Sequence, residues 1–182
     1  MTWSLTAAEP VCFANLIVPE VNRARLLEQI IKLLEESLKL NIDAAEQAHE
    51  TATHSENVAE NRYDTLGLEA AYLAHGQSQR VVAGEVDIVS FKALRDLPHS
   101  ESVAMGSLVA LCDEGADEAD KHQLLFIGPA AGGLKLVVDQ NEIVVITPSA
   151  PLGQALMGHF VHEEIEFSAA GNTSIFDITG IY

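Results

Sequence analysis

Between Leu27 and Ala52, apolar or small residues return in alternating steps of four and three: Leu27, Ile31, Leu34, Leu38, Asn41, Ala45, Ala48 and Ala52. That spacing predicts a long helix carrying a coiled-coil seam. Leu26, Ile30, Leu33 and Leu40 widen the apolar stripe, which predicts packing on more than one side near the start of this helix. Toward its end the seam shrinks to alanine, a residue that lets two helices approach closely. A second series, Val58, Asn61, Thr65, Leu68, Tyr72, His75, Gln79 and Val82, repeats the same steps and predicts a second helix. Gly67 and Gly76 weaken that helix without breaking it. The polar stretch from His49 to Asn57 lies between the two series, and Thr53 or Ser55 suits the N-cap of the second helix, with Glu56 in its first turn. Two helices of similar length joined by a short turn form an antiparallel hairpin. About thirty residues per arm, at about 1.5 Å each, give a rod of roughly 45 Å.

Val86 to Leu97 either continues the second helix or forms a linker, and Pro98-His99-Ser100 marks a boundary. Beyond it, Ser107–Cys112, Gln123–Ile127, Lys135–Val138, Ile143–Ile146, Glu164–Phe167 and Ile175–Ile178 read as short strands separated by Gly-, Asp- and Pro-rich turns. The run TPSAPLGQALMG, Thr147 to Gly158, reads as a proline-punctuated turn and a short helix. Leu152, Ala155 and Leu156 fall on one face of that helix, and Gly158 sits where a helix stops. The pattern as a whole predicts two domains: an N-terminal arm and helical hairpin over 1–97, then a compact α+β domain over 98–182. Residues before Pro19 read as an irregular arm or short strand that packs on something.

Charge narrows the functional classes. Residues 1–97 carry 15 acidic and 8 basic side chains, and residues 98–182 carry 12 and 2, within a formal net charge of −17. Neither half offers the basic face that high-affinity nucleic-acid binding draws on. An acidic protein can still work beside nucleic acid when another protein holds it there, its carboxylates then addressing metal ions or basic surfaces. No apolar run approaches the ~20 residues needed to cross a bilayer, and no secretory leader begins the chain. Cys12 and Cys112 lie far apart without metal-type spacing and read as free thiols of a reducing, cytoplasmic compartment.

Two segments invite a site reading and are better explained otherwise. Phe126-Ile127-Gly128-Pro129-Ala130-Ala131-Gly132-Gly133 lacks the Lys-Ser/Thr of a phosphate loop, the GxGxxG spacing and a βαβ setting. His159 and His162 with Glu163 and Glu164 do not have HExxH spacing, and they read as solvated surface side chains. His49 and His54 flank the hairpin turn beside Glu50 and Glu56, where a metal or pH role is the minor reading. The chain shows no Ser-His-Asp or Cys-His constellation.

The TPSAPLGQALMG run, followed by HFVHEEIEF, resembles the C-terminal domain of the Gre (GreA/GreB) family of transcript-cleavage and elongation factors. That family carries a Ser-Pro-Ile-Ala-Arg-x-Leu-Ile-Gly run there, then acidic residues and a strand. Ser55-Glu56-Asn57, with Glu60 and Tyr63 after it, resembles the family's hairpin-tip signature, Asp-Leu-Ser/Lys-Glu-Asn-Ala-Glu-Tyr. The resemblance implies an antiparallel coiled-coil hairpin followed by a small FKBP-like α+β domain. It also implies docking on bacterial RNA polymerase through the C-terminal module (Pro148, Ser149, Pro151 and Leu152) and insertion of the hairpin into the secondary channel. The tip carboxylates would help hold a Mg²⁺ shared with the polymerase active site, hard oxygen ligands suiting that ion.

Residue by residue, the resemblance places Glu56 as the tip glutamate, with Ser55 and Asn57 supporting it. Thr53 stands where the family has its tip aspartate, His54 where it has a hydrophobic neighbour, and Glu50 one helical turn earlier is the replacement carboxylate. The family's acidic stretch after the strand ending Ile-Val-Gly is replaced here by small and apolar residues. The implied role is an accessory factor, not an enzyme, with no metal or tightly bound cofactor of its own. A neutral threonine at the tip favours a paralogue that occupies the channel without promoting cleavage. A prolyl isomerase or chaperone built on the FKBP-like domain is the reading from another class. It needs an aromatic-lined pocket, and the aromatics after Pro98 are Phe126, Phe160, Phe167, Phe176 and Tyr182.

Overall fold

The computed structural model describes residues 22–53, 66–113, 115, 122–169 and 171–182. These form two compact units, Ala24–Asp96 and one that contains Arg23 and Leu97–Tyr182.

The first unit is a pair of long helices, α1 (Arg23–Thr53) and α2 (Leu66–Ala93). No glycine or proline interrupts α1, and its Leu, Glu, Lys and Ala content favours helix throughout. Every member of the predicted α1 series, from Leu27 to Ala52, is buried or half-buried. Leu26 and Ile30 join it as fully buried residues, whereas Leu33 and Leu40 are exposed, so the broad apolar stripe is confined to the first turns. The segment from Val86 continues α2 to Ala93 and then tightens into one 3₁₀ turn, Leu94–Asp96. Lys92 Nζ lies 2.9 Å from Glu35 Oε1, and a Cβ on Gly84 would sit 3.2 Å from Leu38 Cδ1. Partners on α2 therefore fall in number as those on α1 rise, which is the signature of an antiparallel pair.

The seam of α2 differs from the predicted one. Leu68, Tyr72 and Val82 are exposed, and the buried or half-buried series is Ala70, Ala74, Gln77, Val81, Gly84, Ile88 and Phe91. Both series step by three and four, and at about 100° per residue they lie on roughly opposite sides of the helix. The small members of the buried series let the helix backbones come close, and that close approach selects it over the more hydrophobic one. Val58, Asn61 and Thr65 lie outside the described residues.

The second unit is a mixed six-stranded sheet with one short helix. Its strands are β1 (Leu108–Asp113), β2 (His122–Ile127), β3 (Lys135–Val138), β4 (Asn141–Ile146), β5 (Glu164–Ala169) and β6 (Asn172–Ile181), in the order β3-β4-β2-β1-β6-β5. β2 and β4 run parallel, and every other neighbouring pair is antiparallel. A two-residue turn joins β3 to β4 with positive φ at Asp139 (49°) and Gln140 (70°), the twist a tight hairpin needs. In β6 the register slips opposite Ala110 and Leu111, and the Thr179 hydroxyl donates to the Ala110 carbonyl at 3.1 Å. This bulge returns Ile181 to the face already used by Phe176 and Ile178.

Helix α3 (Pro151–Leu156) lies on that face, its Leu156 buried among Val109, Leu111, Leu125, Ile127, Ile165 and Ile178. The opposite face of β1 (Leu108, Ala110 and Cys112) is buried too. Cys112 is disulfide-bonded, which corrects the free-thiol expectation for this residue. Cys12 and the arm before Pro19 lie outside the described residues. No described helix is long and apolar enough to cross a membrane.

Candidate functional site

The turn between β4 and α3 is built from its backbone. Ala150 is extended, as a residue before proline must be, and Pro151 opens the helix, where the N–H it lacks has no intrahelical partner. The Ala150 amide donates to the Thr147 carbonyl at 3.0 Å, and the Thr147 and Ser149 hydroxyls meet at 2.9 Å. The Gln154 side chain donates to the Ser149 carbonyl at 3.0 Å. A Cβ on Gly153 would collide with the Thr147 carbonyl oxygen, so only glycine lets helix and turn close on each other. At the far end Gly158 takes φ +84° and donates to the Val103 carbonyl at 2.9 Å, while the Val103 amide donates to His159 at 2.8 Å. These bonds hold both ends of α3.

Of the predicted docking residues, Ser149 and Pro151 are exposed and Pro148 is half-buried at the same turn. Leu152 is half-buried because it also packs against the core under α3. The turn thus presents a shaped, uncharged surface. It contains no acid, base or nucleophile pair.

The glycine-rich stretch after β2 is likewise committed to structure. The Gly128 amide donates to Ile146 and the Gly133 amide to Val145, both at 2.8 Å, and Leu134 closes a turn onto Ala131 at 3.0 Å. Amides spent this way cannot cradle a phosphate.

The His159–Glu164 segment lies mostly at the surface and carries one hydrogen-bonded pair. Glu163 Oε2 accepts the Phe160 amide at 2.9 Å and lies 2.7 Å from His159 Nδ1. The Phe160 bond first, then the His159 contact, hold the Glu163 carboxyl below its ordinary value. The pair pins the chain after α3 while both side chains stay at the surface, as the solvated reading expects.

At the hairpin end Thr53 is the last residue of α1, and its hydroxyl donates to the His49 carbonyl at 2.9 Å. It therefore belongs to the first helix and does not cap the second. Glu50 and His49 are exposed on the same last turn. His54, Ser55, Glu56, Asn57, Glu60 and Tyr63 lie outside the described residues.

The strand register also makes a feature that no linear motif announces. Asp113, Glu164 and Asp177 come together around an open depression of about 410 Å³, with Thr173, Ser174 and Ile175 on its wall. Pairing of Glu164 with Asp177 puts those two acids on one face, and Asp113, opposite Phe176 at the end of β1, lines the same depression. Among the described residues no three His, Cys, Asp or Glu side chains are placed to hold a metal ion.

No protein-family model matches the chain, and no curated protein sequence does. Solved structures do resemble it. GreA factor homolog 1 of Thermus thermophilus is 21% identical, covering 84% of this chain and 94% of its own, with a TM-score of 0.32. Gfh1 of Thermus aquaticus is 19% identical over 83% of this chain and 92% of its own, with a TM-score of 0.36. A prokaryotic transcription elongation factor GreA/GreB from Nitrosomonas europaea is 24% identical over 48% and 64%, with a TM-score of 0.33.

Proposed function

We propose that this chain is a Gre-like transcription elongation regulator, an accessory factor without catalysis of its own. Its FKBP-like C-terminal unit docks on bacterial RNA polymerase in the cytoplasm, and the hairpin of the N-terminal domain, residues 1–97, enters the secondary channel. The observation that carries the reading is the turn of Thr147–Pro151, which offers Pro148, Ser149 and Pro151 at one hydrogen-bonded surface in the unit that follows a long antiparallel helix pair. Shape and apolar contact at such a surface suit recognition of another protein. In this reading Glu56 and Glu50 serve as tip carboxylates for a Mg²⁺ shared with the polymerase, and Ser55 and Asn57 support them.

Thr53 favours a second version of the same role. Its side chain is neutral and its hydroxyl proton is given to His49. It supplies no ionised oxygen to a metal, which supports a channel competitor that does not promote cleavage.

The test is a backtracked elongation complex incubated with the protein. Short 3′ RNA fragments that disappear with Glu56→Ala support the cleavage factor, and polymerase binding without fragments supports the competitor. A polymerase that is not retained by the full chain sinks both.

A further inference from the structure

We infer that the N-terminal arm, residues 1–21, seats on the second apolar face of the sheet and is latched there by a disulfide between Cys12 and Cys112. Cys112 is disulfide-bonded and fully buried. A side chain so enclosed cannot reach the same residue of another molecule. The chain has two cysteines, Cys12 and Cys112, so the second sulfur is that of Cys12.

The face itself is a covered one. Leu108, Ala110, Cys112, Phe126, Ile143 and Val145 are at most 1% exposed, and register puts them on the side of the sheet away from α3. At the Cys112 end the cover is narrow. His122 and Asp177, its direct neighbours on β2 and β6, both keep solvent contact while Cys112 has none. A strip of extended chain is that narrow, whereas a helix would enclose the neighbours as well.

The arm fits in charge and in reach. In a chain of net charge −17, residues 1–19 hold one charged side chain, Glu9, and Cys12 lies between Val11 and Phe13 with Leu16, Ile17 and Val18 beyond. Such a segment gains from apolar cover and brings little repulsion. It joins the described chain next to Arg23, whose guanidinium donates to the carbonyls of Gly106 at 3.1 Å and Leu97 at 3.0 Å. Gly106 stands just before β1, so the arm starts from one end of that strand and Cys112 lies toward the other. From Gly106 to Cys112 is about 20 Å of strand, and the eleven steps from Cys12 to Arg23 reach up to about 36 Å.

The latch opens by thiol–disulfide exchange. The thiolate of a dithiol reductant attacks the Cys12 sulfur, the Cys112 thiolate leaves and takes up a proton, and the reagent's second thiol then displaces Cys12. The reductant becomes a disulfide, and the two cysteines together gain two electrons and two protons. The freed arm uncovers the face at Cys112.

The full chain, oxidised with glutathione disulfide and digested without reductant, is expected to yield a Cys12 peptide joined to a Cys112 peptide, while the intact chain runs as a monomer on a non-reducing gel. Chymotryptic cleavage after Phe13 should be slow in that form and at least about tenfold faster after reduction and desalting. Cys12→Ser, a change confined to the arm, should match the reduced chain in either redox state. Cysteines left unlinked overturn the proposal, as does a cross-link between copies. So does cleavage at Phe13 that reduction or Cys12→Ser leaves unchanged.

Discussion

Gly153 rests directly against the carbonyl of Thr147, so closely that a Cβ would overlap the oxygen, with Pro148 Cα at 3.2 Å as the next neighbour. The obstacle is backbone on both counts and cannot swing aside. Gly153→Ala should therefore destabilise the sheet unit by about 1–3 kcal/mol, the range for forcing a methyl into packed structure. Urea unfolding followed by circular dichroism measures it, and parental stability would show that the turn can open.

Gly84 presents the opposite case. Its nearest neighbour is the flexible end of Leu38, at 3.2 Å from a built Cβ. Alanine gains about 0.8–1 kcal/mol of helix propensity over glycine, and a small shift of Leu38 offsets only part of it. Gly84→Ala is expected to raise the thermal midpoint. A lowered midpoint would mean that the seam has no slack there.

Gln77 lies in the same seam, and its side-chain oxygen is buried without a hydrogen-bond partner. An unsatisfied buried acceptor costs about 1–3 kcal/mol, and a thioether of similar length removes that cost. Gln77→Met should stabilise the hairpin toward denaturant. No gain would indicate that the oxygen finds water.

Glu163 makes the turn after α3 sensitive to acid. Its folded pKa lies below the ordinary 4.5, through the Phe160 amide first and His159 second. A depressed carboxylate contributes stability that is present above the unfolded pKa and is lost as pH falls through the folded value. The local turn should therefore loosen below about pH 4.5. Glu163→Gln should shrink the difference between neutral and acidic pH. Carboxyl-detected NMR titration reads both, and a Glu163 midpoint at or above that of an unstructured glutamate would contradict the assignment.

If the channel reading holds, restoring a carboxylate at the end of α1 should restore chemistry. Thr53→Asp replaces a hydroxyl bonded to His49 with an ionised oxygen. It is expected to increase RNA cleavage in backtracked complexes several-fold, at a helix cost of about 0.3–1 kcal/mol from the unfavourable dipole. Unchanged cleavage with intact binding would leave the competitor.

The seam of α1 was legible because its large residues and its spacing agree. That of α2 was not, because two series share the same spacing and hydrophobicity favours the wrong one. Ala70, Ala74 and Gly84 win by being small, a property that matters only once a partner helix is known. β6 extends beyond its apolar centre because Thr173 and Ser168 bond across the hairpin at 2.9 Å, and such polar residues read as turn in a linear scan. The acids around the depression come from three strands, so only register reveals them. The α3 turn was legible in outline from its prolines. The reason for Gly153 was not, since a close approach to Thr147 has no one-dimensional signature.

The grading of α1 from Leu26, Leu27, Ile30 and Ile31 to Ala45, Ala48 and Ala52 also sets how the hairpin breathes. A fully buried leucine or isoleucine contributes about 1.5–3 kcal/mol, several times what a half-buried alanine can. Local opening is thus least costly at the alanine end, and amide hydrogen exchange should run faster there by orders of magnitude than near Ile30. The helix pair behaves as a zipper with a fixed end and a loose one, so its alanine end can adjust while its base keeps its shape.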